Sequence, residues 1–120
     1  MLLPLAKISL KTFAGDWIDF APLVDSGAVV SVFNRSDSEM LGYELVTGRY
    51  CELVSASRHK IPCYVHRIEM RIGTEVIRSD VAFSTRDDMG SGYLGRVDVF
   101  DNFEVCLSGK KNETRFAGTL

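Results

Sequence analysis

Short runs in which apolar and polar residues alternate fill most of this chain, and they constrain its fold more than any other feature. Two of them are 5–13 (LAKISLKTF) and 61–72 (IPCYVHRIEMRI). A period of two places alternate side chains on one face of a β-strand and leaves the other face for solvent. Helical spacing is limited to 35–42 and 96–103. We therefore predict an all-β domain with one or two short helices.

Turn signals separate further strand-like runs. We predict additional strands over 17–24, 29–33, 49–56, 75–83, 104–108 and 113–118. Turns are predicted at 14–16, 73–74 and 109–112, and a loop at 84–92. In the helical segment 35–42, Ser36 or Asp37 is predicted to cap the start and Gly42 to end the helix.

Composition and charge narrow the class of protein. With 120 residues, 46% of them hydrophobic and 25% charged, the chain is predicted to form one domain over 1–120. The formal net charge of −2 argues against a general nucleic-acid binder, and no run is long enough for a transmembrane helix. The three cysteines are odd in number and lack CxxC spacing, so neither a disulfide framework nor a zinc site is predicted. We expect no metal, no cofactor and a cytoplasmic location.

One acidic residue interrupts an apolar part of the sequence. Asp25 lies in LVDSGAVV (23–30), between strand-forming runs. Burying an ionised carboxylate without a partner is costly, so Asp25 either lies at an exposed turn or is held there for a reason. A second unusual stretch, YLGR (93–96), follows about 70 residues later.

These two stretches, in this order within an all-β chain, resemble the retroviral-type aspartic proteases, or retropepsins. That family carries an apolar-apolar-Asp-Thr/Ser-Gly-Ala loop, then a flap hairpin, then an apolar-apolar-Gly-Arg segment that opens a helix. The resemblance extends from about residue 5 to the final predicted hairpin. It implies the retropepsin-like acid-protease fold, in which barrel-like β-sheets carry a flap hairpin and one short C-terminal helix.

The resemblance implies that Asp25 is catalytic. An aspartic protease uses two carboxylates that share one proton across a water molecule: one activates the water and the other protonates the scissile carbonyl. Ser26 would hydrogen-bond across the loop, Gly27 would give a tight turn, and Ala28 would form a small part of the substrate pocket. The chain contains a single Asp-Ser/Thr-Gly. The active form is therefore predicted to be a two-fold homodimer that cleaves an extended peptide or protein substrate.

The run from 49 to 72 corresponds to the flap, which in this family closes over the substrate. A hairpin with its tip near residue 57 would set Cys51 opposite Cys63, and both are expected to be buried thiols. Flap tips of the family are usually rich in glycine, whereas 49–72 contains none. The candidate substrate-binding residues at the tip are Ser57, Arg58, His59 and Lys60. Their positive charge either favours acidic or polar substrates or is simply solvated.

Arg96 requires an acidic partner if it follows the family pattern. In the family, the arginine after the glycine binds an acidic residue shortly beyond the catalytic loop, but Val29 and Val30 stand there in this chain. Asp37 and Asp98 are the alternative partners that we consider. A surface salt bridge of little consequence is the other interpretation of Arg96.

The remaining residues of the second stretch complete the resemblance. Leu94 and Gly95 match the structural motif of the family. Tyr93 replaces a plain aliphatic residue, and we predict that it narrows the substrate space behind the two carboxylates.

Three interpretations of the chain remain open: an active endopeptidase, a retropepsin-fold dimer that binds a peptide or protein with weak or no cleavage, and an ordinary β-domain whose Asp-Ser-Gly is only a turn. Retention of Asp25 favours the first. The glycine-free flap and Ser26, where threonine is more usual, leave room for the second. Pairing of a terminal strand is expected to hold the dimer together, and either 1–8 or 113–120 would supply it.

Overall fold

The computed structural model describes residues 5–55, 57–108 and 113–118, and it confirms a mostly β fold with few helices. The strands are β1 (Ile8–Lys11), β2 (Trp17–Phe20), β3 (Leu23–Val24), β4 (Ser31–Phe33), β5 (Arg49–Val54), β6 (Lys60–Ile72), β7 (Glu75–Ser84), β8 (Tyr93–Leu94), β9 (Phe103–Ser108) and β10 (Glu113–Gly118). The helical segments are α1 (Arg35–Leu41), a 3₁₀ turn (Leu45–Thr47) and an irregular helical turn (Arg96–Phe100). Within these ranges, no helix has the length and apolar character needed to cross a membrane.

Eight of the strands form one curved sheet. Its order is β2-β1-β6-β7-β4-β8-β3, with β5 paired to the remaining part of β6. Neighbours are antiparallel except for β3 with β8 and β4 with β7, which run parallel. Strand β3, the last in this order, lies beside the beginning of the described chain, where Leu5 forms a bridge with Leu23. The sheet therefore curls back towards its own start, as a half barrel does.

The predicted strand over 17–24 is wrong as a single element, because it is divided into β2 and β3. The break falls at Ala21 and Pro22. Pro22 has no N–H to give to a strand ladder, but its carbonyl accepts the Ala6 N–H at 2.9 Å. The chain thus leaves one end of the sheet and joins the other.

The hairpin of β6 and β7 forms the centre of the sheet. Its register runs from Cys63 opposite Ser84 to Ile72 opposite Glu75, and the predicted turn at 73–74 closes it. Gly73 adopts a φ of 62°, a conformation that a two-residue hairpin turn requires and that glycine takes without steric cost. The alternation read from the sequence is that of a strand with one face in the core.

Strand β4 and the second half of β7, which pairs with it, are buried on both faces. Val32 lies opposite Ala82, and Phe33 lies opposite Phe83. The two phenylalanines belong to the main hydrophobic core, whereas Val32 and Ala82 belong to a smaller cluster on the other face. The main core also contains Ala6, Ile8, Leu10, Val24, Leu41, Ile68, Met70, Ile72, Val81, Leu94 and Val99.

The cap predicted for helix α1 is wrong by a few residues. The N-cap is Asn34 rather than Ser36 or Asp37, and the Asp37 carboxylate closes a capping box by accepting the Asn34 N–H at 2.9 Å. Asn34 serves a second purpose, because its side-chain oxygen accepts the Met89 N–H of a distant loop at 2.7 Å. The predicted end of the helix at Gly42 is confirmed, with a left-handed φ of 82°.

The helix predicted over 96–103 is present, but it is short and irregular: Arg96–Phe100 is interrupted near its start, and residues 101–102 continue it. Val97 is extended, with φ −62° and ψ 127°, and Asp98 has a φ of 67°. At this break the chain runs beside the Asp25 stretch, where the Val97 N–H donates to the Val29 carbonyl at 2.9 Å, and regular helical geometry begins only after Asp98. Strand β9 then begins at Phe103.

The predicted C-terminal strands are confirmed as the hairpin of β9 and β10. Its register runs from Phe103 opposite Gly118 to Ser108 opposite Glu113. Among the strands of the described ranges, these two pair with each other and with no third strand. The turn predicted at 109–112 lies outside the described residues.

Candidate active site

Asp25 lies at the point where β3 ends and is exposed on the surface of the single chain. Its own N–H donates to the Leu94 carbonyl at 3.0 Å, so the backbone is anchored to β8 directly before the carboxylate. Strands β3 and β8 are parallel, with Leu23 opposite Tyr93 and Val24 opposite Leu94. The structure therefore brings together the two stretches that the sequence analysis singled out.

The turn after Asp25 is held by the aspartate itself. Asp25 Oδ1 accepts the Gly27 N–H at 2.9 Å, and the Asp25 carbonyl accepts the Ala28 N–H at 3.1 Å. A Cβ atom on Gly27 would lie 3.2 Å from Asp25 Oδ1, closer than nearly all real Cβ contacts. A small residue at 27 therefore leaves room for this orientation of the carboxylate.

The second stretch runs directly beside the Asp25 loop. The Arg96 N–H donates to the Ala28 carbonyl at 3.0 Å. The Gly95 N–H donates to the buried Ser31 Oγ at 3.1 Å. Gly95 passes so close to Val30 that an added Cβ would overlap the Val30 backbone. We call residues 94–97 the support segment, because its backbone is hydrogen-bonded to the Asp25 loop.

Two roles expected from the resemblance are not seen within the single chain. Ser26 is exposed, and its hydroxyl makes no hydrogen bond among the described residues. Arg96 is also exposed and forms no ion pair within the same ranges. The candidate partners of Arg96 are engaged elsewhere: Asp37 caps α1, and Asp98 binds Arg67 of β6 at 2.8 Å. Neither acid is the partner of Arg96.

The hairpin of β5 and β6 projects from the sheet near this site. Cys51 lies opposite Cys63, as predicted. Strand β7 ends at Ser84, which lies opposite Cys63 on the other side of β6. Beyond Cys63, towards the tip, the hairpin therefore consists of β5 and β6 alone. The Thr85 N–H still reaches the Pro62 carbonyl at 3.0 Å. Past that point the described hairpin residues have no third strand beside them.

The tip of this hairpin closes without glycine. The Ser55 N–H donates to the His59 carbonyl at 2.9 Å, and the Arg58 N–H donates to the Ser55 carbonyl at 2.9 Å. Ser55 Oγ also accepts the His59 N–H at 3.2 Å. Arg58 supplies the positive φ, at 64°. The predicted substrate-binding residues Ser57, Arg58, His59 and Lys60 are all exposed at this tip.

The base of the hairpin packs against the smaller hydrophobic cluster. Cys51 and Cys63 are free thiols there; Cys63 is fully buried and Cys51 half-buried. Burial raises the pKa of Cys63 to about 12, and the neighbouring Cys51 and Asp88 add to the rise. Burial also raises the pKa of Cys51. Both groups are therefore protonated thiols at neutral pH.

Val30 and Tyr93 connect this cluster with the Asp25 loop. Both are half-buried and pack against the cluster together with Cys51, Leu53 and Ile61 of the hairpin. The loop and the hairpin base thus share one apolar support.

Four residues contribute to the site or its support: Ser31, Asp98 and Arg67 carry no clear signal in the sequence, whereas Asn34 does. Ser31 is a buried acceptor in a β-branched run, and only the approach of Gly95 reveals its role. Asp98 and Arg67 are distant in the sequence, and charged residues in turns and strands are common. Asn34 could have been considered, because asparagine caps helices as well as serine or aspartate does.

Comparisons with known proteins give a uniform result at the level of fold. No protein-family model and no curated protein matches the chain. Among solved structures, the retroviral protease-like domain of Ddi1 from Leishmania major matches with a TM-score of 0.66 and 13% identity, covering 97% of this chain and 89% of that one. A retropepsin-like aspartic protease from Rickettsia conorii matches with a TM-score of 0.64 and 15% identity, covering 94% and 88%.

A third solved structure is the EIAV protease in complex with the inhibitor HBY-793. It matches with a TM-score of 0.60 and 16% identity, covering 78% of this chain and 82% of that one. The chain has the fold of the retropepsin-like aspartic proteases.

Proposed function

We propose that this protein is an aspartic endopeptidase that is active as a two-fold homodimer. The observation that carries the proposal is the combination of a fixed loop and an exposed carboxylate at Asp25. The backbone of Asp25 and Ala28 is bound to the support segment, yet the Asp25 side chain is open to solvent. A carboxylate held in this way is preorganised to act on a group outside its own chain.

The single Asp-Ser-Gly of the chain makes a second copy necessary. Two Asp25 carboxyl groups that meet on a two-fold axis would share one proton, because two negative charges in direct proximity repel each other and the groups do not both ionise. The ionised carboxylate takes a proton from a water molecule, and the water oxygen attacks the scissile carbonyl carbon. The protonated carboxylate gives its proton to the carbonyl oxygen. Collapse of the resulting diol breaks the C–N bond, and the leaving amine takes up a proton.

The C-terminal hairpin is the proposed dimer contact. A two-stranded hairpin is at best marginally stable by itself, and β9 and β10 have no third partner among the described strands. The N-terminal alternative is weaker, because Leu5 and Ala6 already bind β3 and Pro22 of their own chain. Pairing of two copies through β9 or β10 would give a continuous sheet across the axis.

The hairpin of β5 and β6 is proposed to act as the flap. It extends beyond β7 as a two-stranded arm, which is the geometry expected of an element that bends over a bound peptide. An extended peptide or protein substrate would bind between flap and Asp25 loop as an added strand. The exposed Arg58, His59 and Lys60 at the tip would meet the solvent side of that substrate.

A peptidase assay with a matched pair of variants tests the proposal. Wild type, Asp25→Asn and Asp16→Asn are incubated with a mixed peptide library between pH 3 and 8, and mass is measured by light scattering. We expect cleavage by a dimer, best at mildly acidic pH. Asp25→Asn should abolish cleavage. Asp16→Asn should cleave like wild type, because Asp16 is an exposed residue in the turn directly before β2.

Two results would contradict the proposal in different ways. A dimer that binds library peptides but cleaves none, in wild type and Asp25→Asn alike, would indicate a peptide-binding module. A monomer at micromolar concentration without cleavage would exclude both functions and leave Asp-Ser-Gly as a turn.

A further inference from the structure

Asp98 makes an unusual set of contacts directly after the support segment. It has a φ of 67°, which non-glycine residues seldom adopt. Its side chain is only 20% exposed. One oxygen, Oδ2, accepts both Arg67 Nη1 at 2.8 Å and the Asp80 N–H at 2.9 Å. One carboxylate oxygen of Asp98 therefore accepts two hydrogen bonds, although its backbone is in a rare conformation.

Both contacts attach Asp98 to the central hairpin. Arg67 on β6 lies opposite Asp80 on β7, and Arg67 Nη1 also donates to Asp80 Oδ1 at 3.2 Å. The ladder between β4 and β7 begins one position later, at Ser31 opposite Val81. The Asp98 carboxylate thus takes the N–H of β7 directly before the position where β4 begins to pair.

The path from Asp98 to the candidate catalytic loop is short. Val97, the residue before Asp98, donates its N–H to the Val29 carbonyl at 2.9 Å, and Arg96 donates to the Ala28 carbonyl at 3.0 Å. The ion pair expected from the resemblance would have involved Arg96. In this chain the ion pair beside the support segment is formed by Asp98 with Arg67 instead.

We propose that Asp98 is a positioning residue, which together with Arg67 fastens the support segment to the central hairpin and so fixes the Asp25 loop. Asp98 does not touch the substrate and acts through the backbone of residues 94–97. The kinetic consequence of this inference rests on the proposed peptidase function, whereas the structural consequence does not.

The kinetic test compares Asp98→Ala, Asp98→Asn and Arg67→Met with the control Glu75→Gln, an exposed carboxylate at the far end of β7. A small displacement of a catalytic group lowers turnover strongly, so Asp98→Ala should lower kcat about tenfold and leave KM within about twofold. Asp98→Asn keeps an acceptor for the Asp80 N–H and tolerates a positive φ, so it should recover most of kcat. The double variant Arg67→Met/Asp98→Ala should have the same kcat as Asp98→Ala alone, because both changes remove the same contact. Glu75→Gln should behave as wild type.

Amide hydrogen exchange tests the same inference without any activity. In Asp98→Ala the amides of Asp25, Arg96 and Val97, which bind across the loop and the support segment, should exchange about tenfold faster than in wild type. The amide of Met70 in the main core should be unchanged. The positioning role would be overturned if the loop amides of Asp98→Ala exchanged as slowly as those of wild type. It would also be overturned if all amides, including that of Met70, exchanged faster by the same factor. A wild type that cleaves nothing but shows the local acceleration would contradict the proposed function and support this inference.

Discussion

The Asp25 loop and the tip of the β5–β6 hairpin are both turns with exposed polar side chains, but they are held in different ways. Besides the hydrogen bonds that Gly27 and Ala28 donate to Asp25, the Asp25 loop is bound from outside, by backbone hydrogen bonds to Leu94 and Arg96 and through the close passage of Gly95. The hairpin tip is bound by its own residues, chiefly Ser55 with Arg58 and His59.

Because of this difference, we expect the two turns to differ in how freely they can move. A loop tied to a neighbouring segment can move only if that segment moves, which keeps a carboxylate in one orientation. A tip that depends on local contacts can move as a unit about its base without breaking any of them. An enzyme that must fix its carboxylates and admit a peptide needs one turn of each kind.

The strongest way to break the comparison is Gly95→Ala. The added methyl group would overlap the Val30 backbone, which cannot rotate away as a side chain could. We expect a loss of about 3 kcal/mol or more in the free energy of unfolding, measured by urea denaturation. Gly73→Ala is the control: its φ of 62° is unfavourable for alanine, but the space around it is open, so about 1 kcal/mol is expected. Equal losses would mean that the support segment is not tightly packed.

A smaller effect is expected at the base of the hairpin, where Cys63 has a raised pKa. A thiol whose pKa is higher in the folded state than in the unfolded state stabilises the fold fully below the unfolded value of 9.0, and this contribution is lost as the pH rises towards the folded value of about 12. By pH 11 the loss should be on the order of 2 kcal/mol.

The measurement is the free energy of unfolding between pH 8 and 11, for wild type and Cys63→Ala. The variant should show a flatter profile, because it has no thiol to ionise at this position, and its constant packing loss does not depend on pH. Parallel profiles would show that Cys63 is not the group responsible.

The smallest effect is expected at the tip, from Arg58→Gly. Glycine adopts the φ of 64° without the steric cost that arginine bears, but it loses more backbone entropy on folding. The free energy of unfolding should therefore rise by only about 0.5 kcal/mol. Lys60→Gly, at a strand position of the same hairpin, should lower it by a similar amount. If both variants were destabilised equally, the tip would not depend on the left-handed residue.

The patterns that were predicted correctly depend on local spacing. The strand alternation of 61–72 appears as β6, and the symmetric placement of Cys51 and Cys63 about the tip gives their cross-strand pairing. The sequence singled out the Asp25 and YLGR stretches, but their pairing as β3 and β8 is seen only in the structure.

The predictions that failed depend on which group competes for a hydrogen bond. The pattern at 96–103 has helical spacing, but Val97 and Asp98 depart from helical geometry where the Val97 N–H binds the Val29 carbonyl beside the Asp25 loop. Arg96 was assigned Asp98 as one possible partner, whereas Asp98 binds Arg67 on a strand. In these cases the possible hydrogen-bond or ion-pair partners are far apart in the sequence, and local sequence patterns do not favour one partner over another.

The sequence by itself determined the all-β class, most strand positions and the single Asp-Ser-Gly, because alternation and turn residues act over a few neighbouring positions. Only the tertiary structure decided that the Asp25 carboxylate is exposed while its backbone is tied down, and that Asp98 rather than Arg96 carries the ion pair beside it. The physical reason is that backbone donors and charged groups take whichever partner the curled sheet brings within 3 Å or so, and that choice is set by the packing of the whole domain.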